Sequence, residues 1–138
     1  MREKKFKIYA DGASEGNPGP SGIGVIIYDQ KDRLIKKEAE FIGHATNNEA
    51  EYKALIYALI EALIMKADRV TIYLDSELVT NQINGLYKVK NAFLRKLYQE
   101  ACHLMKGFEK ISVRHIGRSA NRDADRLAAN AIRSGVGP

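Results

Sequence analysis

The order in which two hydrophobic periods follow one another constrains this chain more than any single residue does. Over residues 5–11, Phe6, Ile8 and Ala10 alternate with Lys5, Lys7 and Tyr9, the period-two signature of a strand. Residues 22–29 (GIGVIIYD) form a second strand of more continuous apolar character, and residues 33–42 alternate loosely as a third. Only Gln30-Lys31-Asp32 joins the second to the third, too short for a crossover, so an antiparallel meander is expected. The period then changes. Asn47 or Asn48 caps a helix over EAEYKALIYALIEALIMK, and RVTIYLD (69–75) reads as a short buried strand. Ser76 caps a helix that Asn84-Gly85 ends, and Asn91 caps another with Leu94, Leu97, Ala101 and Leu104 on one stripe. Residues 110–115 form the last strand, and Asn121 opens a final helix through about Arg133. The resulting order, βββαβααβα, describes an α/β mixed sheet whose second half favours parallel pairing.

Bulk properties narrow the function. A chain of 138 residues with 45% hydrophobic and 28% charged content predicts one domain, 1–138, with its own core. The most apolar window, 54–65, is interrupted by Glu61 and too short to span a bilayer, so no membrane partner is expected. The N-terminal MREKK leads into a strand and not into a signal-peptide core. With Cys102 as the single cysteine, an internal disulfide and a Cys-based zinc cluster are excluded, and a reducing, cytoplasmic location is expected. A net charge of +5 and a pI near 9.3 favour a polyanionic partner, nucleic acid above all.

Acids placed at special positions carry the chemistry. In open α/β sheets functional groups gather at the carboxyl ends of strands, where Asp11 and Asp75 both fall. If those two strands are parallel neighbours, both carboxylates emerge at one edge. On the first helix Glu51 lines up with Leu55, Ala58 and Ala62, a small apolar face suited to lying on a sheet. Glu49, four residues before Lys53, reads as an exposed ion-pair partner. On the last helix Asp125 shares a stripe with Ala128, Ala129 and Ile132, whereas Asp123 is explained as a first-turn acid. Each acid alone has an ordinary reading as a turn or capping residue. Four together would repel one another without a counter-charge, and hard divalent cations supply it. The histidines His44, His103 and His115 show no ligand spacing for softer metals. Two Mg²⁺ ions clamping a phosphodiester, with the basic charge, predict metal-dependent phosphodiester hydrolysis.

The blocks YADGASEGNPGPSGIGVII, TNNEAEYKAL, YLDSELV and ANRDADRLAANA resemble, in order, the four signature blocks of type 1 ribonuclease H. The resemblance covers nearly the whole chain. It implies the ribonuclease H-like fold: a five-stranded mixed sheet, first three strands antiparallel, with helices on both faces. It also implies endonucleolytic cleavage of the RNA strand of RNA–DNA hybrids, leaving 5′-phosphate and 3′-hydroxyl ends. The family's metal-holding catalytic acids fall on Asp11, Glu51, Asp75 and Asp125, those the face arguments select. Two Mg²⁺ per site are implied, with Mn²⁺ as the alternative ion. Asn17, Asn47 and Asn48 would line the minor groove, where 2′-hydroxyls distinguish RNA, and Thr46 would contact a DNA phosphate.

Two departures, and one histidine, bear on substrate grip and product release. NGLYKVKN passes at once into the next helix, so the basic protrusion of some family members is absent and the form is compact. Lys88, Lys90, Arg95 and Lys96 are the replacement candidates, against a solvated helix face for the last two. Glu77 stands where many members carry a substrate-contacting Gln. His115 keeps the H-x-G-x-x-x-N-x-x-x-D spacing of a mobile catalytic histidine, or is a packed strand terminus. A hybrid-binding or double-stranded-RNA-binding module without catalysis is the alternative; double-stranded RNA is a second candidate partner, and a monomer is expected.

Overall fold

The computed structural model describes residues 3–136. Its elements are β1 (Lys5–Ser14), β2 (Gly19–Asp29), β3 (Leu34–Ala45), α1 (Asn47–Ile64), β4 (Arg69–Leu74), α2 (Glu77–Ile83), α3 (Ala92–Met105), β5 (Lys110–His115) and α4 (Arg122–Val136), with a 3₁₀ turn, Arg118–Asn121, before α4. The five strands lie in the order β3-β2-β1-β4-β5. β1–β2 and β2–β3 are antiparallel, while β1–β4 and β4–β5 are parallel. The period-two meander and the later strand–helix alternation thus give the mixed sheet that their link lengths require.

Alternation along the strands assigns the helices to opposite faces. Ile8, Ala10, Ile23, Val25 and Ile27 point to one side, packed with Tyr52, Leu55, Ala58 and Leu59 of α1 in the main core. Each Ile, Val or Leu among these, when fully buried, contributes about 1.5–3 kcal/mol. α3 closes this layer by burying Leu94 and Ala101. On the other side α4 lies over β1, β2 and β3. Two glycines set these approaches. A Cβ on Gly12 would stand 2.1 Å from the Ala50 carbonyl oxygen of α1, and one on Gly24 only 2.2 Å from that of Ala124 in α4.

Several local expectations are corrected. The first strand runs past residue 11 to Ser14 and the second begins at Gly19, so Gly12, Gly19 and Pro20 lie within strands and the bend is confined to residues 15–18. The cap of α1 is Thr46, not Asn47 or Asn48: its side chain accepts from the Glu49 N–H at 3.1 Å, and Glu49 Oε1 accepts from the Thr46 N–H at 3.1 Å. Glu49 is therefore the second half of a capping box instead of a solvated partner of Lys53. Asn121 does not cap the last helix; it ends the 3₁₀ turn and is 1% exposed. Among the described residues, no helix is long and apolar enough to cross a membrane.

Candidate active site

β1 and β4 run parallel with Tyr9 beside Tyr73, so Asp11 and Asp75 leave the sheet at the same edge. Glu51 arrives from the first turns of α1, whose closeness to β1 depends on Gly12. One oxygen each of Asp11, Glu51 and Asp75 lie within 4.8 Å of one another. Asp125, in the first turn of α4, approaches from the opposite face and is among the groups that raise the Asp11 pKa. Gly24 sits opposite Asp11 in the β1–β2 register, so the residue that lets α4 descend is the neighbour of the acid that α4 must reach.

Backbone and amide groups hold the carboxylates. The Gly12 N–H donates to Glu51 Oε1 at 2.6 Å. Asn121 Nδ2 donates to the Ala10 carbonyl at 2.9 Å and to Asp75 Oδ2 at 3.2 Å, bridging β1 to the end of β4. Asp11, only 5% exposed, has its carboxyl pushed up to about 11 by burial first, then by Glu51 through charge and a hydrogen bond, and by Asp75 and Asp125. Burial also pushes Glu51 up to about 7, opposed by its hydrogen bonds from Asp11 and the Gly12 N–H. Deeply set acids held this close without a compensating cation demand one. The all-oxygen donor set fits a hard divalent ion, and the carboxylates of Asp11, Glu51 and Asp75 are the groups that could hold it.

Beside the acids, the bend of residues 15–18 is tied to the start of α1. Asn17 Oδ1 accepts from the Asn47 N–H at 3.0 Å, and Asn47 Oδ1 accepts from the Ser14 N–H at 3.1 Å. Asn48 is exposed next to them. Glu77 is exposed in the first turn of α2, and Lys88 and Lys90 are exposed in the link to α3. Arg95 donates from Nε and Nη2 to the Val89 carbonyl, bracing that link, while Lys96 is exposed. His115 ends β5 in register with Leu74 and is exposed, so the packed-terminus reading does not hold. Asp123 is exposed. Asn121 and Gly24 were not singled out by sequence reasoning. A signal for Gly24 existed in the glycines at 22 and 24 facing the small residues Ala124, Ala128 and Ala131 of α4.

A parallel β1–β4 pair ending in two acids, joined there by one acid from a helix on each face, defines the ribonuclease H class of nuclease folds. A family model described as "Reverse transcriptase-like" matches residues 9–131. Ribonuclease HI of Halobacterium salinarum is 39% identical over 95% of this chain and 66% of its own length. The crystal structure of RNase H1 from that archaeon superposes with a TM-score of 0.91 at 38% identity, covering 93% of this chain and 97% of that one. LC11-RNase H1, solved in complex with an RNA/DNA hybrid, gives a TM-score of 0.89 at 39% identity over 96% and 99% of the two chains. The bifunctional protein Rv2228c of Mycobacterium tuberculosis is 41% identical over 93% of this chain. This chain spans about a third of the length of that relative and about two thirds of the halobacterial one. The chain belongs to the reverse transcriptase-like family and within it to the compact type 1 ribonucleases H.

Proposed function

We propose that this protein is an endonuclease that hydrolyses the RNA strand of RNA–DNA hybrids, leaving 5′-phosphate and 3′-hydroxyl ends. The observation that carries the reading is the convergence of Asp11, Glu51 and Asp75 within 4.8 Å, with Asp125 approaching from the opposite face. Relatives named ribonuclease H, and a similar structure bound to a hybrid, support the substrate class. Two Mg²⁺ ions, replaceable by Mn²⁺, suit the four acids because both take oxygen ligands and share their shell with phosphate. When bound, such ions supply charge neutralisation and Lewis acidity at the scissile phosphate.

The chain's own residues do the rest. Gly12 fixes the Glu51 carboxylate, and Asn121 fixes that of Asp75, so neither must reorganise as substrate arrives. Because the Oδ1 atoms of Asn17 and Asn47 are occupied by backbone N–H groups, their NH₂ groups remain to donate. Donors on a minor-groove surface match the oxygens of 2′-hydroxyls and base edges. Asn48 extends that surface, and Thr46 takes a DNA phosphate. Lys88 and Lys90 meet the hybrid where longer family members carry the basic protrusion, and Glu77 at the start of α2 meets it separately. His115, exposed at the sheet edge that bears Asp75, assists departure of the cleaved product. The protein acts in this reading as a cytoplasmic monomer.

Cleavage of end-labelled hybrid with Mg²⁺, beside duplex RNA, duplex DNA and an EDTA control, tests the proposal in wild type and Asp11→Asn. The expected result is metal-dependent cutting of hybrid RNA by the wild type, and binding without cutting by the variant. Binding of hybrid without cleavage in Mg²⁺ or Mn²⁺ by the wild type would make the protein a binding module instead. Duplex RNA cutting would add that substrate to the hybrid.

A further inference from the structure

The sheet face that carries α4 is only partly covered. α4 lies over β1, β2 and β3, and no helix makes extensive contact with β4 or β5 from that side among the described residues. The strand registers set out what the open part presents. Tyr9, Tyr73 and Arg114 stand side by side, then Lys7, Thr71 and Ser112, then Lys5, Arg69 and Lys110. The Tyr9 and Tyr73 rings are stacked, with centroids 4.9 Å apart at 21°, and Tyr28 meets Tyr9 edge-on at 5.9 Å.

Two hollows adjoin at Lys7: one of about 550 Å³ between Tyr9, Tyr28 and the start of α4, and one of about 280 Å³ lined by Lys5, Arg69, Lys110 and Arg114. The acids in reach are few. Asp32 pairs with Lys7 at 2.9 Å, Glu3 and Glu109 pair with Arg69, and Asp123 lines the larger hollow. Lys5, Lys110 and Arg114 make no ion pair among the described residues. Asn121 also lines the larger hollow, and its Oδ1 is a buried acceptor without a partner. Along both strands the tyrosines are two residues from the acids, a step of about 6.6 Å.

We propose that this open face of β1, β4 and β5 binds single-stranded nucleic acid, with unpaired bases on the Tyr9–Tyr73 stack and phosphates on Lys5, Lys110 and Arg114. Aromatic rings interleaved with cations suit a strand whose bases are free to stack, which a duplex cannot offer. That the strand is the unpaired continuation of a duplex lying at the four acids rests on the proposed function; single-strand binding itself does not.

Fluorescence anisotropy in EDTA with a labelled RNA dodecamer, and separately with a blunt hybrid of the same length, tests this. In Lys110→Glu/Arg114→Glu, single-strand affinity is expected to fall at least tenfold. The slope of log affinity against log salt should shrink by about 1.4, two phosphate contacts at about 0.7 each. Blunt-hybrid affinity should change less than twofold. Tyr73→Leu should weaken single-strand binding about tenfold with the salt slope unchanged, and Tyr73→Phe should restore it; melting curves establish that each variant is folded. The proposal is overturned if wild type shows no single-strand binding up to about 100 μM, the weak end of nonspecific affinity. Equal weakening toward strand and blunt hybrid, or no weakening, overturns it too. A protein that binds single strands in this way yet cuts no hybrid would sink the functional reading and leave this one standing.

Discussion

Replacing the Asp11 carboxyl by an amide, which needs no proton to stay neutral, should stabilise the metal-free protein even as it abolishes function. The carboxyl is 5% exposed and faces three other acids, so its proton is held far more tightly in the folded chain than in the unfolded one. Where the folded state binds the extra proton, stability is full below the unfolded value and falls as pH rises above it. From the ordinary 3.8 up to pH 7 the span is roughly three units, or ~4 kcal/mol with no relaxation. The hydrogen bond shared with Glu51 and small shifts of the carboxylates reduce this to about 2 kcal/mol. Asparagine keeps the shape, carries no charge and donates to the neighbouring carboxylates. In EDTA at pH 7, Asp11→Asn should therefore melt about 6 °C above wild type, at about 3 °C per kcal/mol for a chain of this size. The gap should narrow toward pH 4. Addition of Mg²⁺ should raise the wild type more than the variant. An Asp11→Asn protein that melts at or below the wild-type temperature in EDTA at pH 7 would refute the claim that these acids are mutually destabilising.

Other expectations follow from single contacts. Gly24→Ala places a methyl against the Ala124 carbonyl and should cost about 3 kcal/mol by urea unfolding, with α4 displaced from the sheet. Asn121→Ala leaves the Ala10 carbonyl unpaired and should cost about 1–3 kcal/mol; its kinetic signature is a fall in kcat with KM nearly constant, because Asp75 loses its support. Thr46→Ala breaks the capping box of α1 and should lower stability by about 1 kcal/mol in thermal melts.

Helix faces made the acids legible. An acid at the head of a stripe of alanines and leucines has no cheap structural explanation, so Glu51 and Asp125 stand apart from Glu49 and Asp123 in the sequence itself. Strand ends did the same for Asp11 and Asp75. The amide chemistry was opaque: Asn121 has the composition of a helix cap, and only the pairing of β1 with β4 reveals that its NH₂ group spans them. Thr46, Asn47 and Asn48 are three adjacent residues that can each cap a helix. The decision among them lies in Glu49, which completes a box only with Thr46. Gly12 carries no distinctive signal in the sequence, because glycine in a strand has several uses; in the fold it is the space into which the α1 backbone fits.

The hydrogen bond from Asn121 to Ala10 closes a loop of 111 residues, and it joins nearly the last structural element to the first. During synthesis the meander of β1–β3 can form early, yet nothing in it resembles a finished nuclease. Asp125 and Asn121 emerge from the ribosome only after every strand of the sheet. A truncated or stalled product therefore lacks both the fourth acid and the clamp on the third. The group of four acids is completed in one late event, the docking of α4, so under the proposed function a chain that has not docked α4 would be inert toward the nucleic acid around it.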